Sequence, residues 1–127
     1  MIIDSHCHLT YEPMSNALNE TINRANKDGI KYMLTISTED KSYEQILKIV
    51  NGYESVYGTY GIHPHEAKLH QHIDGPHIIN KVNQNKKIIG IGETGLDFYY
   101  NHSEKKDQIY SFKSNYTDFY EKSFRYY

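Results

Sequence analysis

Apolar residues in this chain alternate between compact runs and spaced stripes. The runs occupy residues 1–3, 30–37 (IKYMLTIS), 56–62 (VYGTYGI) and 88–93 (IIGIGE). Their shortness and β-branched content read as buried strands, the third weakened by its glycines. Between the first two runs, Met14, Ala17, Leu18, Ile22 and Ala25 recur at three- and four-residue steps, the stripe of an amphipathic helix. Pro13 suits that helix's first turn and Gly29 the position past its end. A second stripe runs through Tyr43, Ile46, Leu47 and Val50, with Asp40 as its expected cap and Gly52 as its stop. A third follows Gly75-Pro76 with Ile78, Ile79 and Val82 inward. A fourth begins at Ser103 and carries Ile109, Phe112, Tyr116 and Phe119. The pattern predicts (βα)4 in one domain over residues 1–127, with no repeat or linker. Strands separated by helices run parallel, with right-handed crossovers.

Chemistry-bearing residues gather where three of these strands end. Strand alternation places Asp4, His6 and His8 on one face and Cys7 on the other. Two imidazoles at a strand's C-terminal end can chelate one metal ion, or they can be ordinary hydrogen-bonded histidines. The position favours the metal, because α/β enzymes place their chemistry at that end. After the third strand comes Gly61-Ile62-His63-Pro64-His65-Glu66, and after the fourth Gly92-Glu93-Thr94-Gly95-Leu96-Asp97. Glu93 shares parity with Ile89 and Ile91; if that face is inward, its carboxylate reaches the pocket of His6 and His8 and can bridge two cations. The alternative is a solvated strand-end acid. His63, held by the proline behind it, is aimed at a substrate oxygen. His65 and Glu66 read as loop surface, and His70, His72 and His77 as solvated histidines of a polar loop. Asp97 either orients a ligand from behind or caps a turn.

Composition narrows the classes. The chain has 127 residues, 38% of them hydrophobic, and a mean hydropathy of −0.75, enough for one modest core. No apolar run approaches the ~20 residues that span a bilayer, and no leader pattern opens the chain. The single cysteine, Cys7, excludes an internal disulfide and reads as a small buried residue. These features fit a cytoplasmic protein without membrane partners. A net charge of −2 gives no general attraction to nucleic acid, so such a substrate needs a local site with metal ions offsetting its phosphates.

The segments DSHCHL, GIHPHE and IGETGLDFYY, in this order and spacing over residues 1 to about 113, resemble the opening half of a TatD-type metal-dependent deoxyribonuclease, of the amidohydrolase-like TIM barrels. The resemblance implies that His6 and His8 bind one metal, that Glu93 bridges or shares two divalent ions such as magnesium, and that His63 lies beside the substrate. It implies activated water cleaving phosphodiester bonds in DNA. Thr10 stands where the family's first motif often has an acid. The larger departure is length. A (βα)8 barrel takes about 250 residues, and the family's remaining ligands, two histidines and an aspartate, lie on later strands that this sequence lacks. The expectation is the N-terminal half of a TIM barrel from a truncated gene, ending in an atypical aromatic tail over 115–127. That tail either prolongs the fourth helix or comes from a frameshift. Such a half is active only if a second copy or a complementing half-barrel chain closes it; the alternatives are an inactive remnant and a hydrolase of another ester or amide.

Overall fold

A computed structural model describes the backbone of residues 1–123 and the side chains of residues 1–115. Four strands alternate with four helices: β1 (Ile2–Cys7), α1 (Leu18–Lys27), β2 (Ile30–Thr35), α2 (Tyr43–Gly52), β3 (Val56–Tyr60), α3 (Gly75–Asn83), β4 (Ile88–Ile91) and α4 (Lys105–Ser123). The strands form one parallel sheet in the order β1-β2-β3-β4. This is the (βα)4 arrangement that the apolar pattern predicts, the first half of an eight-stranded barrel. Among the described residues, no helix is long and apolar enough to cross a membrane.

The core lies between the sheet and its helices. Ile22, Tyr43, Ile46, Val50, Val56, Tyr60 and Ile78 are essentially inaccessible there. Removing such side chains from water is the main term holding the layers together. Tyr43 and Tyr60 meet edge to face with centroids 4.6 Å apart, the preferred geometry for aromatic pairs. Lys87 closes the far end of α2, its ammonium donating to the carbonyls of Val50 at 2.7 Å and Tyr53 at 2.5 Å.

The opposite face of the sheet is uncovered, which corrects the expectation of a buried first strand. Ile2 and Ile3 are 57% and 55% exposed, and Ile89 is 59% exposed. Ile3, Ser5, Tyr32, Leu34, Tyr57 and Ile89 line an apolar concavity of about 280 Å³ on that face. In a closed barrel it would be interior; here four strands present it to solvent.

Strand register also shifts at three places, the first between Ile2 and Ile3. Asp4 pairs with the core residue Met33, and a bulge between Asp4 and Cys7 sets Cys7 opposite buried Thr35, so Asp4 shares the face of Cys7 rather than that of His6. A third bulge, where Gly90 rather than Ile89 pairs with Thr59, sets Ile91 opposite buried Tyr60 and packs it on the core while Ile89 faces out. Parity with Ile89 and Ile91 therefore cannot be what aims Glu93.

Helix starts differ in detail. Short 3-10 turns, Ser15–Ala17 and Asp40–Ser42, precede α1 and α2, so Pro13 lies before the first helix rather than in its first turn. Asp40 caps nothing; its carboxylate accepts from Tyr60 Oη at 2.5 Å. Gly29, at φ +92°, takes the left-handed position after α1 as expected. The tail's backbone continues α4 to Ser123; the side chains of Tyr116 and Phe119, and residues 124–127, lie outside the described residues.

Candidate metal centre

Buried hydroxyls align the strand ends that carry the chemistry. Thr59 Oγ1 donates to the Gly92 carbonyl at 2.6 Å and accepts from the Ser37 amide at 3.2 Å. The Glu93 amide donates to the Ser37 carbonyl at 2.6 Å and the Gly92 amide to the Tyr60 carbonyl at 3.0 Å. The His63 amide donates to the Thr38 carbonyl at 2.8 Å. These bonds join the ends of β2, β3 and β4 and settle where Glu93 and His63 stand. Gly61 is needed at this junction, because a Cβ there would lie 2.7–2.9 Å from three backbone atoms of Gly92. Only a glycine lets the two chain segments approach this closely.

Three donor atoms converge above them. His6 Nε2 and His8 Nε2 are 3.2 Å apart, and Glu93 Oε2 lies 3.5 Å from the first and 3.7 Å from the second. A point in the plane of that triangle is about 2.0 Å from all three atoms. Nitrogen and carboxylate ligands bind zinc at about 2.0–2.2 Å and magnesium takes about 2.0–2.1 Å, so the donor set fits one such cation. His8 Nδ1 faces the Ile36 carbonyl at 3.3 Å. A carbonyl only accepts, so Nδ1 carries the proton and the Nε2 lone pair is left free toward the triangle. His8 also stacks on Tyr11 at 5.1 Å, and Tyr11 Oη bonds Thr38 Oγ1 at 2.7 Å. Among the described residues no other group of three or more His, Cys, Asp or Glu offers a comparable set of ligand atoms.

The second carboxylate oxygen turns the other way. Glu93 Oε1 is 3.5 Å from His63 Nε2. The ring's other nitrogen, Nδ1, accepts from the His65 amide at 3.1 Å. Burial holds the His63 pKa below the usual histidine range, so the ring is neutral at neutral pH and its proton sits on Nε2, toward Glu93. His6 and His8, at the end of β1, thus approach one oxygen of the Glu93 carboxylate and His63 the other. His8, His63 and Glu93 border a cavity of about 320 Å³ that Tyr11, Thr38, His65 and Glu66 also line.

His65 is not the surface residue its loop position suggested. Its Nε2 donates to Asp97 Oδ2 at 2.7 Å, with both side chains about three-quarters buried. Of the two roles weighed for Asp97, the structure shows the turn cap, together with a bond to the His65 ring. Its Oδ2 holds the His65 ring, and its Oδ1 accepts from the amides of Tyr99 at 2.9 Å and Tyr100 at 3.3 Å. The His65 bond, and then the Tyr99 amide, hold its carboxyl below the usual range. Gln108, buried in α4, clasps the Asp97 main chain in both directions: it accepts from the amide at 2.8 Å and donates to the carbonyl at 2.8 Å. Nothing in the sequence pattern separated Gln108 from an ordinary helical glutamine.

The remaining candidates stay apart. His70 binds back to the Glu66 carbonyl at 3.0 Å and stacks near His72 at 6.1 Å. His77 lies in the first turn of α3 rather than in a loop, with its Nε2 3.7 Å from Asp40 Oδ1. Cys7 donates to the Leu34 carbonyl at 3.4 Å; burial and then the nearby Asp4 push its thiol to about 12, which rules out an easily formed thiolate.

Comparison with known proteins sets this geometry in a family. The TatD-related DNase family matches residues 3–117. The chain belongs to the TatD-related DNases. It is 33% identical over 117 residues to an uncharacterized metal-dependent hydrolase of Buchnera aphidicola, covering 90% of this chain and 43% of that protein. It is 30% identical over 113 residues to the 3'-5' ssDNA/RNA exonuclease TatD of Salmonella typhimurium, covering 89% of this chain and 43% of that one. The crystal structure of YjjV, a TatD homologue from Escherichia coli, superposes with a TM-score of 0.75 at 23% identity over 90% of this chain and 44% of its own. This TatD-family chain therefore spans less than half the length of the relatives it matches, and its four strands correspond to part of a TatD barrel.

Proposed function

We propose that this chain carries the metal-holding half-site of a metal-dependent phosphodiesterase acting on DNA. The observation that carries the reading is the triangle of His6 Nε2, His8 Nε2 and Glu93 Oε2, brought together from the ends of β1 and β4. His6, His8 and Glu93 would hold a divalent ion such as magnesium. Such an ion, when bound, supplies a water of lowered pKa and a Lewis acid for a phosphoryl oxygen. The name of the Salmonella relative, a nuclease of single-stranded DNA and RNA, supports a nucleic-acid substrate.

The chain's own groups have definite parts in this reading. His8 is kept in the ligating tautomer by the Ile36 carbonyl, and Glu93 is held in place by the hydrogen bond its amide donates to the Ser37 carbonyl. The protonated Nε2 of neutral His63 faces the cavity beside Glu93, where it can donate to a phosphate oxygen. Asp97 steadies that arrangement through His65, whose backbone amide fixes the His63 ring.

Three protein donors would hold one ion, and the described residues offer no second group of three His, Cys, Asp or Glu ligands for another. Cleavage by this chain by itself is therefore slow, and a covering half, from a second copy or another chain, would raise it. The test is hydrolysis of labelled single-stranded DNA in a magnesium and manganese titration, with His6→Ala and Glu93→Ala beside the wild type. Slow, metal-dependent cleavage lost in both variants supports the reading. Cleavage that survives either substitution contradicts it.

A further inference from the structure

A path of aromatic rings leads away from the metal centre to the surface. His63, 3.5 Å from Glu93, meets His65 edge-on at 4.4 Å between centroids. His65 touches Tyr100 at 5.6 Å, and Tyr100 meets Tyr99 at 4.9 Å. The path ends on Tyr99, which is 85% exposed, with Tyr100 at 53% and Phe98 at 44% beside it. Lys105 Nζ sits 5.2 Å over the Phe98 ring. Three consecutive exposed aromatics contribute little to a core and need a reason to be there.

The segment that carries them is firmly held. The Asp97 carboxylate takes the amides of both tyrosines as well as the His65 ring, and Gln108 clasps the Asp97 main chain from α4. A backbone anchored this way presents its rings at a defined place relative to Glu93, so little order would have to be gained on binding.

We propose that Phe98, Tyr99 and Tyr100 form a stacking platform for the unpaired bases of a single-stranded nucleic acid whose backbone runs into the metal centre. The proposal rests on the nuclease reading above and names a subsite for the strand. Unpaired bases offer their faces to exposed rings, whereas the faces of a duplex are already stacked on one another. The surroundings agree with recognition through rings rather than through charge. Lys105 and Glu104 border the platform, and Glu104 is paired with Lys106 at 2.9 Å. Such a mixed rim gives a shallow salt dependence, unlike a uniformly basic groove. A protein partner would find the same mixed rim; it is the continuity of the rings with the metal centre that favours nucleic acid. The uncovered inner face of the sheet around Ile3, Tyr57 and Ile89 is a separate patch.

The test is fluorescence anisotropy of a short fluorescein-labelled oligo-dT with the full chain in EDTA, so that neither hydrolysis nor metal binding enters the reading. Tyr99→Ala is expected to weaken binding about 5- to 150-fold, the span reported for losing one stacked base. Tyr99→Phe keeps the ring and retains wild-type affinity. Binding of a blunt DNA duplex is the same in all three proteins, and so are the melting temperatures. Wild-type affinity in Tyr99→Ala, no binding by the wild type, or equal losses in both variants would overturn the proposal. A lowered melting temperature in Tyr99→Ala would show a ring packed against protein, and would overturn it too. If oligonucleotide binding follows Tyr99 while metal-dependent cleavage ignores His6 and Glu93, the platform stands and the metal reading falls; the reverse pattern removes only the platform.

Discussion

Replacing Gly61 with alanine should damage stability and the metal centre together. The new Cβ would sit 2.7–2.9 Å from the N, Cα and C of Gly92, closer than real Cβ contacts come. Gly92 cannot easily retreat. Its amide is bonded to Tyr60, its carbonyl to Thr59 Oγ1, and the next amide to Ser37 at 2.6 Å. Relief must come from separating the end of β3 from the end of β4, which draws Glu93 away from the imidazoles of β1. Overpacking of this kind costs about 1–3 kcal/mol. Each kcal/mol lowers the melting temperature by about 2–8 °C in domains bracketing this size, so a fall on the order of 5–10 °C is expected. Metal affinity should drop by about 10- to 100-fold, as when the supports of metal ligands are lost. Gly90→Ala is the internal control: it lies in β4 too, but its Cβ would meet only Thr59 Cγ2 at 3.6 Å, an ordinary contact. The assays are thermal melting by circular dichroism and calorimetric titration with manganese. A Gly61→Ala protein that melts and binds metal like Gly90→Ala would refute the close-approach argument.

Three further outcomes follow from single interactions. Gln108→Leu leaves the Asp97 amide and carbonyl without their partners and should cost about 2–6 kcal/mol, at about 1–3 kcal/mol per unmatched group, read from denaturant unfolding. Cys7, with its thiol pushed to about 12, should resist iodoacetamide in the native protein at mildly alkaline pH and react at once when unfolded; rapid native labelling would contradict its burial. The carboxyl of Asp97 titrates lower folded than unfolded, so its stabilisation is full above the usual carboxylate value of about 3.9 and is lost as pH falls through the lower native value. Melting temperatures recorded down through that acid range should show a shallower decline for Asp97→Asn than for the wild type.

The element order was legible because each strand and helix has its own period, and those periods depend only on which faces meet the core. His6, His8 and Glu93 were legible as a group because each stands at the C-terminal end of a strand, and in a parallel sheet those ends lie together. The reason offered for Glu93 was nevertheless wrong. A bulge in β4 breaks the alternation, and hydrogen bonds to Ser37, Tyr60 and Thr59 do the aiming. Bulges leave little trace in hydrophobic pattern, and the same blindness put Asp4 on the face of the histidines. The exposure of Ile2, Ile3 and Ile89 could not be read from their apolarity, since an apolar residue marks a surface to be covered and does not say whether the cover is in the chain. His65 was passed over because loops usually run through solvent. Its partner Asp97 lies thirty-two positions away, a distance no local pattern crosses.

The central claim is that His6, His8 and Glu93 form one metal-holding triangle, and a calorimetric titration with manganese tests it most directly. Wild type, His8→Ala and His70→Ala are compared, His70 being a histidine bonded only to its own loop. The account predicts one ion per chain in the wild type, the same binding in His70→Ala, and binding too weak to measure in His8→Ala. Undiminished binding in His8→Ala, or binding that disappears with His70, would contradict it.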